Sequence, residues 1–281
     1  MARIEIVTDS TASLDPADAD REGIAVVPLK VIIGADEFVE GRDVTSAMLA
    51  EALASFVPVS TSRPTPEEFA AVYRQLAEAG AEHVVSVHLS SRMSGTIDSA
   101  RLAARQVDVP VTVVDTGQVG LGVGFAAGSA VRVRDAGGSV DEVVEVAERA
   151  GATTTVSLYV DTLEYLRRGG RVGAAAALIG SALAVKPILT IQDGLVVPLE
   201  RVRTASRALA RLEQLALEAT QACTDGYSIG VQHLANEGVA QQVADRLAVA
   251  LERESVPVDE VGAAIGAHVG PGMVSVTVTP R

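Results

Sequence analysis

A chain of 281 residues accommodates one large α/β unit or two modest domains, and with 48% hydrophobic but only 3% aromatic residues its interior is built from Val, Leu, Ile and Ala. The formal net charge of −13, from 36 acidic against 23 basic residues, argues against a nucleic-acid or anionic-membrane surface, because both call for basic patches. Cys223 is the single cysteine, which excludes an intramolecular disulfide and a cysteine metal cage.

The opening residues run into a strand pattern without a charged and then apolar leader. Ile4 to Val7 is a short strand, Asp15-Pro16 opens a helix, and Ile24 to Ile33 and Glu37 to Val39 are extended segments around a turn at Gly34-Ala35-Asp36. Thr45 caps a helix carrying Met48, Leu49 and Leu53. Thr65-Pro66-Glu67-Glu68 combines a capping box with proline in the first turn, and Phe69, Val72, Tyr73 and Leu76 then share one face up to Gly80. His83 to Leu89 is a strand, Thr96 to Arg105 a helix, Val109 to Val114 a strand, and Ser139 with Glu142 begins another helix.

Beyond Gly151 the texture changes. Thr153 to Val160 is β-branched, Leu163 to Arg168 is stopped by Gly169-Gly170, and Gly173 to Val185 is almost wholly Ala, Leu, Ile and Gly. That stretch is shorter than the ~20 residues of a membrane span. It reads either as a buried helix or as a groove of small side chains for a long apolar ligand. Ile188 to Ile191 and Leu195 to Val202 flank a hairpin turn at Gln192-Asp193-Gly194. Helices at Ser206 to Thr220 and Glu237 to Arg253 alternate with strands at Tyr227 to Leu234 and Val258 to Ile265, and Val274, Val276 and Val278 close the chain as an alternating strand. The alternation predicts an α/β fold with a boundary near residue 150: an N-terminal α/β domain with a parallel sheet over 1–150, and a second α/β domain with a mixed or antiparallel sheet over 151–281. A cytoplasmic protein without stable membrane insertion is expected.

Hydroxyl clusters follow several strands: Thr8-Asp9-Ser10-Thr11, Ser60-Thr61-Ser62, and Ser90-Ser91-Arg92-Met93-Ser94-Gly95-Thr96, with Asp115-Thr116-Gly117 after a further strand. Carboxyl ends of strands border the ligand crevice of open α/β sheets, and helix N-termini there suit anions. Hydroxyls without clustered Lys or Arg point to a small anion such as a carboxylate. The competing reading is that each cluster only caps a helix. Gly120-Leu121-Gly122-Val123-Gly124 lacks dinucleotide spacing and reads as a helix whose glycines permit close packing. His268 stands among glycines in Gly266 to Gly272, read as a loop between strands. No nucleophile elbow, H-E-x-x-H pair or Walker loop is present.

Several of these segments together resemble the DegV family over nearly the whole chain. Thr8-Asp9-Ser10-Thr11 is similar to its TDST opening, and Thr61-Ser62-Arg63-Pro64 to T-S-Q-P, with arginine in place of glutamine. Leu89 to Thr96 resembles L-S-S-x-L-S-G-T, Leu163 to Arg171 resembles L-x-x-L-K-K-G-G-R, and Lys186-Pro187-Ile188-Leu189 and His268-Val269-Gly270-Pro271-Gly272 complete the set. The resemblance implies a two-domain DegV-like (EDD) fold that encloses a long-chain fatty acid between its domains, with no cofactor beyond that ligand. It implies that Thr61 and Ser91 contact the carboxylate, with Ser62, Ser94 and His268 nearby. It also implies that the acid is presented to a separate fatty acid kinase for acyl-phosphate formation in bacterial phospholipid metabolism. Arg171 and Arg203, with His268, match positions linked to the kinase encounter or to head-group handling. Arg63 places an extra charge beside the expected head group. On this reading the chain is not itself an enzyme. Two alternatives stand beside it: a hydrolase with Ser91 or Ser94 as nucleophile, His268 as base and Asp9 or Asp115 as orienter, and a sensor of another small carboxylate.

Overall fold

The computed structural model describes residues 3–178 and 186–281. In chain order the elements are strand β1 (Ile4–Asp9), a 3-10 turn (Ser10–Ala12), helix α1 (Pro16–Glu22), strands β2 (Ile24–Val27), β3 (Lys30–Ile33) and β4 (Asp36–Val39), helix α2 (Ser46–Ala54) and strand β5 (Val59–Ser62). They continue with α3 (Pro66–Glu78), β6 (His83–His88), α4 (Thr96–Ala104), β7 (Val111–Asp115), α5 (Leu121–Asp135), α6 (Val140–Thr153), β8 (Thr155–Tyr159) and α7 (Glu164–Arg168). After a 3-10 stretch (Gly173–Leu178) come β9 (Lys186–Gln192), β10 (Leu195–Val202), α8 (Ala205–Gln221), β11 (Tyr227–His233), α9 (Glu237–Ala250), β12 (Val258–Glu260), α10 (Ala263–Val269) and β13 (Val274–Pro280).

Local chemistry sets most of these boundaries. Asp15 accepts from the Ala17 N–H, Thr45 from the Met48 N–H, and Thr65 with Glu68 forms the reciprocal capping box. Asp193 and Gly194 both adopt left-handed backbone, at φ 49° and 73°, which matches the twist of the β9–β10 hairpin.

The residues group into two compact units, Met1–Lys30 with Ser62–Thr153, and Val31–Thr61 with Thr154–Arg281. A single cut near residue 150 therefore misses that Val31–Thr61 belongs with the C-terminal part. The physical reason is packing: α2 lies against α10, and Ser46 Oγ donates to the Val261 carbonyl at 3.0 Å.

The first unit holds a four-stranded sheet in the order β2-β1-β6-β7, parallel throughout. Alternation along β1 and β6 sends Ile4, Ile6, Val85 and Val87 to the face covered by α5 and α6, and Val7 and Val84 to the face holding Phe69, Tyr73, Ala100 and Ala103. Both faces are buried, as a parallel sheet requires. A Cβ on Gly124 would lie 2.5 Å from the Ala12 carbonyl oxygen, so this glycine does permit the close approach of α5 to the TDST turn.

The second unit holds a six-stranded mixed sheet, β10-β9-β8-β13-β11-β12, antiparallel except for the β11–β12 pair, and a three-stranded sheet β4-β3-β5. Leu212, Ala216, Val243 and Leu247 of α8 and α9 pack on Ile188, Ile229, Val231 and Val276.

One stretch differs from its sequence pattern. The strand expected over Val258 to Ile265 stops at Glu260, and Ala263–Val269 is helical, so His268 sits in a helical turn rather than a loop. The buried Glu40 carboxylate accepts from the Ala264 N–H at 2.7 Å and caps this helix from 224 residues away. Gly262 and Gly266 make room, because added Cβ atoms would lie 2.4 Å from Glu40 Oε1 and 2.5 Å from Leu49 Cδ2. The apolar Gly173 to Val185 stretch is 3-10 over its first residues, with Ala175 buried; 179–185 lie outside the described residues.

Candidate functional site

In the second unit the structure joins two residues singled out by sequence. Thr61, on β5, places its Oγ1 2.9 Å from Nε2 of His268 in the last turn of α10. Burial, helped by the positive charge of Arg171, pushes the His268 imidazole down to about 4, so it is neutral at pH 7. Its Nδ1 is buried without a hydrogen-bond partner among the described residues. With the proton on Nε2, the ring donates to Thr61 and leaves only a bare lone pair unmet. Thr61 then keeps its own O–H to donate, a neutral donor suited to an anion.

The Gly169-Gly170-Arg171 turn holds the ring in place. A Cβ on Gly169 would lie 2.0 Å from His268 Nδ1, and one on Gly270 2.0 Å from the Tyr165 ring, so the end of α7 and the end of α10 interlock through two absent side chains. Arg171 Nη1 donates to the Gly169 carbonyl at 2.6 Å and is thereby kept beside the imidazole. Arg203 is exposed just beyond β10, next to Thr204, the N-cap of α8.

A pH dependence follows. The unfolded imidazole titrates at its ordinary 6.5 and the folded one at about 4, so as pH falls the unfolded chain takes up the proton first. Stability is full above pH 6.5 and drops towards pH 4 by up to about 3 kcal/mol from this group. Urea denaturation between pH 7 and 4.5 should show a steeper loss of stability in the wild type than in His268→Gln, where His83 and the depressed carboxylates still contribute.

In the first unit, Ser91 is exposed, and its N–H donates to the Asp115 carboxylate at 3.3 Å, which also accepts from the Gly117 N–H at 3.0 Å. Ser94 Oγ sits 2.9 Å from Thr96 Oγ1 and accepts from the Thr96 N–H at the start of α4. Ser62 Oγ donates to the Arg63 carbonyl at 3.3 Å. Arg63 donates from Nη1 to the Gly95 carbonyl at 3.2 Å, and its guanidinium occupies the space a Gly95 Cβ would need. The substituted arginine thus brings its charge to the Ser94-Gly95-Thr96 turn.

The two carboxylates that a hydrolase would use as orienters are engaged elsewhere: Asp9 with His88 at 2.8 Å, and Asp115 with backbone N–H groups. Sequence reading missed His88 as anything beyond a strand residue. Its signal was weak, since only the fold shows that an imidazole at the end of β6 lies beside the TDST aspartate. Among the described residues, no group of three or more His, Cys, Asp and Glu side chains could hold a metal ion, and no helix is long and apolar enough to cross a membrane.

Comparison with known proteins adds the following. A family model described as "Uncharacterised protein, DegV family" matches residues 3–281. A DegV domain-containing protein of Streptomyces coelicolor is 51% identical over 284 residues, covering 99% of each chain. The solved structure of a DegV family protein from Thermus thermophilus, described as binding fatty acid, is 34% identical with a TM-score of 0.92, covering 99% of this chain and 100% of that one. That of DegV from Bacillus subtilis, described as a fatty acid binding protein, is 30% identical with a TM-score of 0.90 and full coverage of both.

Proposed function

The chain belongs to the DegV family, and on that premise we propose that it binds a long-chain fatty acid, holds the carboxylate with Ser and Thr hydroxyls, and presents it to a separate fatty acid kinase. The observation that carries the reading is the Thr61–His268 pair: the hydroxyl oxygen lies 2.9 Å from Nε2 of a buried imidazole whose Nδ1 has no partner among the described residues, which favours hydrogen on Nε2 and a Thr61 proton free to donate. Each buried CH₂ of an acyl chain contributes about 0.8 kcal/mol, so the chain supplies most of the affinity. The carboxylate then has to be hydrogen-bonded, because an unpaired buried charge is prohibitive. Ser62, Ser91 and Ser94 are assigned to the same carboxylate. Arg171 acts through His268, and Arg203, exposed just beyond β10, is assigned to the kinase encounter.

Mass spectrometry of an extract of the denatured protein, after expression in bacteria and purification, should find a long-chain fatty acid in stoichiometric amount. An extract without one, together with no rise in melting temperature on adding oleate, sinks the proposal. With a fatty acid kinase and ATP supplied, Arg203→Ala should lower ATP consumption while oleate titration changes little; equal losses in both assays remove Arg203 from the encounter surface.

A further inference from the structure

Asp9 and His88 are both fully buried, and the carboxylate reading above uses neither. Asp9 ends β1 and His88 ends the adjacent parallel β6, one register step beyond the Thr8–Val87 pair. Asp9 Oδ1 accepts from the Thr11 N–H at 3.0 Å and the Thr11 hydroxyl at 2.5 Å. Its Oδ2 accepts from His88 Nδ1 at 2.8 Å and from the Leu89 N–H at 3.3 Å. On the far side of the imidazole, Nε2 lies 2.7 Å from Ser86 Oγ, which lies 2.8 Å from the hydroxyl of buried Tyr73. The His88 ring also meets Phe69 edge-on, with centroids 5.1 Å apart.

Counting donors gives this chain one direction. Burial pushes the Tyr73 phenol well above its ordinary range, so it stays protonated and must donate. The acceptor it has is Ser86 Oγ. Asp9, already accepting from Thr11 and Leu89, needs a donor from the imidazole, so His88 carries its hydrogen on Nδ1, and Ser86 keeps its own proton to offer to Nε2. Reversing the imidazole would turn a bare nitrogen lone pair toward the Asp9 carboxylate and give up the hydrogen bond between them. The polar chain ends on a carboxylate that simultaneously grips the TDST turn and the first residue of the Leu89–Gly95 loop.

We propose that Asp9 and His88 are positioning residues for the proposed head-group loop: they lock the start of that loop to the TDST turn, so that the Ser91 and Ser94 hydroxyls are presented in a fixed place although neither Asp9 nor His88 touches the ligand. The inference rests on the fatty-acid reading of Ser91. It predicts that what matters in His88 is a donor at the Nδ1 position. Asparagine carries an N–H there and leucine does not.

The experiment titrates lipid-stripped wild type, His88→Leu, His88→Asn, Asp9→Asn and Ser91→Ala with oleate, each of the first three variants also in the Ser91→Ala background, and records the ¹⁵N imidazole spectrum of the wild type. His88→Leu and Asp9→Asn should lose about tenfold or more in affinity and His88→Asn about threefold or less. The first two losses should shrink in the Ser91→Ala background, because they act through the same hydroxyl. The wild-type spectrum should show the Nδ1–H tautomer. Wild-type affinity in His88→Leu, full additivity with Ser91→Ala, or an Nε2–H tautomer overturns the inference. If His88→Leu does not fold, Asp9→Asn against His88→Asn decides in its place. If Ser91→Ala alone binds oleate like the wild type, the fatty-acid reading of that loop fails and takes this inference with it, an outcome distinct from Ser91→Ala failing to bind while His88→Leu binds normally.

Discussion

Replacing Gly169 by alanine is expected to destabilise the protein by about 1–3 kcal/mol, and to stabilise it by about 0.5–1 kcal/mol when His268 is first replaced by alanine. The sign reversal follows from the backbone. Gly169 sits at φ −73° and ψ −8°, a helical conformation that alanine adopts without strain. The obstacle is the imidazole: an added Cβ would lie 2.0 Å from Nδ1, 2.8 Å from Cε1 and 3.2 Å from Cγ of His268. A planar ring anchored to Thr61 at 2.9 Å has no soft end to swing away, so the ring must leave its seat and the hydrogen bond breaks. Urea denaturation of the four proteins in this cycle measures the stability effect. NMR titration of the His268 ring reports the displacement, with its pKa rising from about 4 towards the ordinary histidine value as the ring meets water. A Gly169→Ala protein that keeps wild-type stability and the depressed titration would show that the ring is not seated on this glycine. Gly270 is a different case. At φ 76° it is in the left-handed region, so alanine there is strained whatever happens to Tyr165.

The second large effect is on ligand affinity. Removing the hydroxyls in Thr61→Ala and Ser91→Ala should each weaken oleate binding by about tenfold or more, since a hydrogen bond to a charged group is worth about 1.5–3 kcal/mol. Thr61→Ala carries an additional stability cost, because it strands the Nε2–H of His268 in a buried place. Thr61→Ser, which restores the oxygen, should recover both stability and affinity. Ser91→Ala should cost little stability: the residue is exposed, and its tie to Asp115 runs through the backbone N–H, which alanine retains. Isothermal titration of lipid-stripped protein separates these cases. Oleate affinity unchanged in the Thr61→Ala/Ser91→Ala double variant would mean that the head group lies elsewhere.

Much of the architecture was legible along the chain because its determinants are local. Asp15, Thr45 and the Thr65–Glu68 box start helices through bonds spanning two or three residues. Asp193-Gly194 turns a hairpin because those two residues tolerate left-handed backbone. The buried faces of β1 and β6 follow from alternation, and the order of the motifs along the chain points to the DegV family by itself.

What only the tertiary structure decided are the pairings between distant residues. The helix Ala263–Val269 is too short to persist on its own, and its stability comes from a cap on Glu40 and a glycine contact with Leu49, both on a segment over 200 residues earlier in the chain. The same long-range packing moved Val31–Thr61 into the second unit and brought Thr61 to His268 across 207 residues. Asp9 and His88, 79 residues apart, meet because β1 and β6 are neighbours in a parallel sheet, where adjacent strands come from distant sequence. Periodicity and capping report what the backbone does within a few residues; which side chains meet is set by the order in which strands and helices pack. The residue types at the proposed site were therefore readable from sequence, while the neutral state of His268, the glycine that seats it and the buried pair beneath the hydroxyl loop were consequences of the fold.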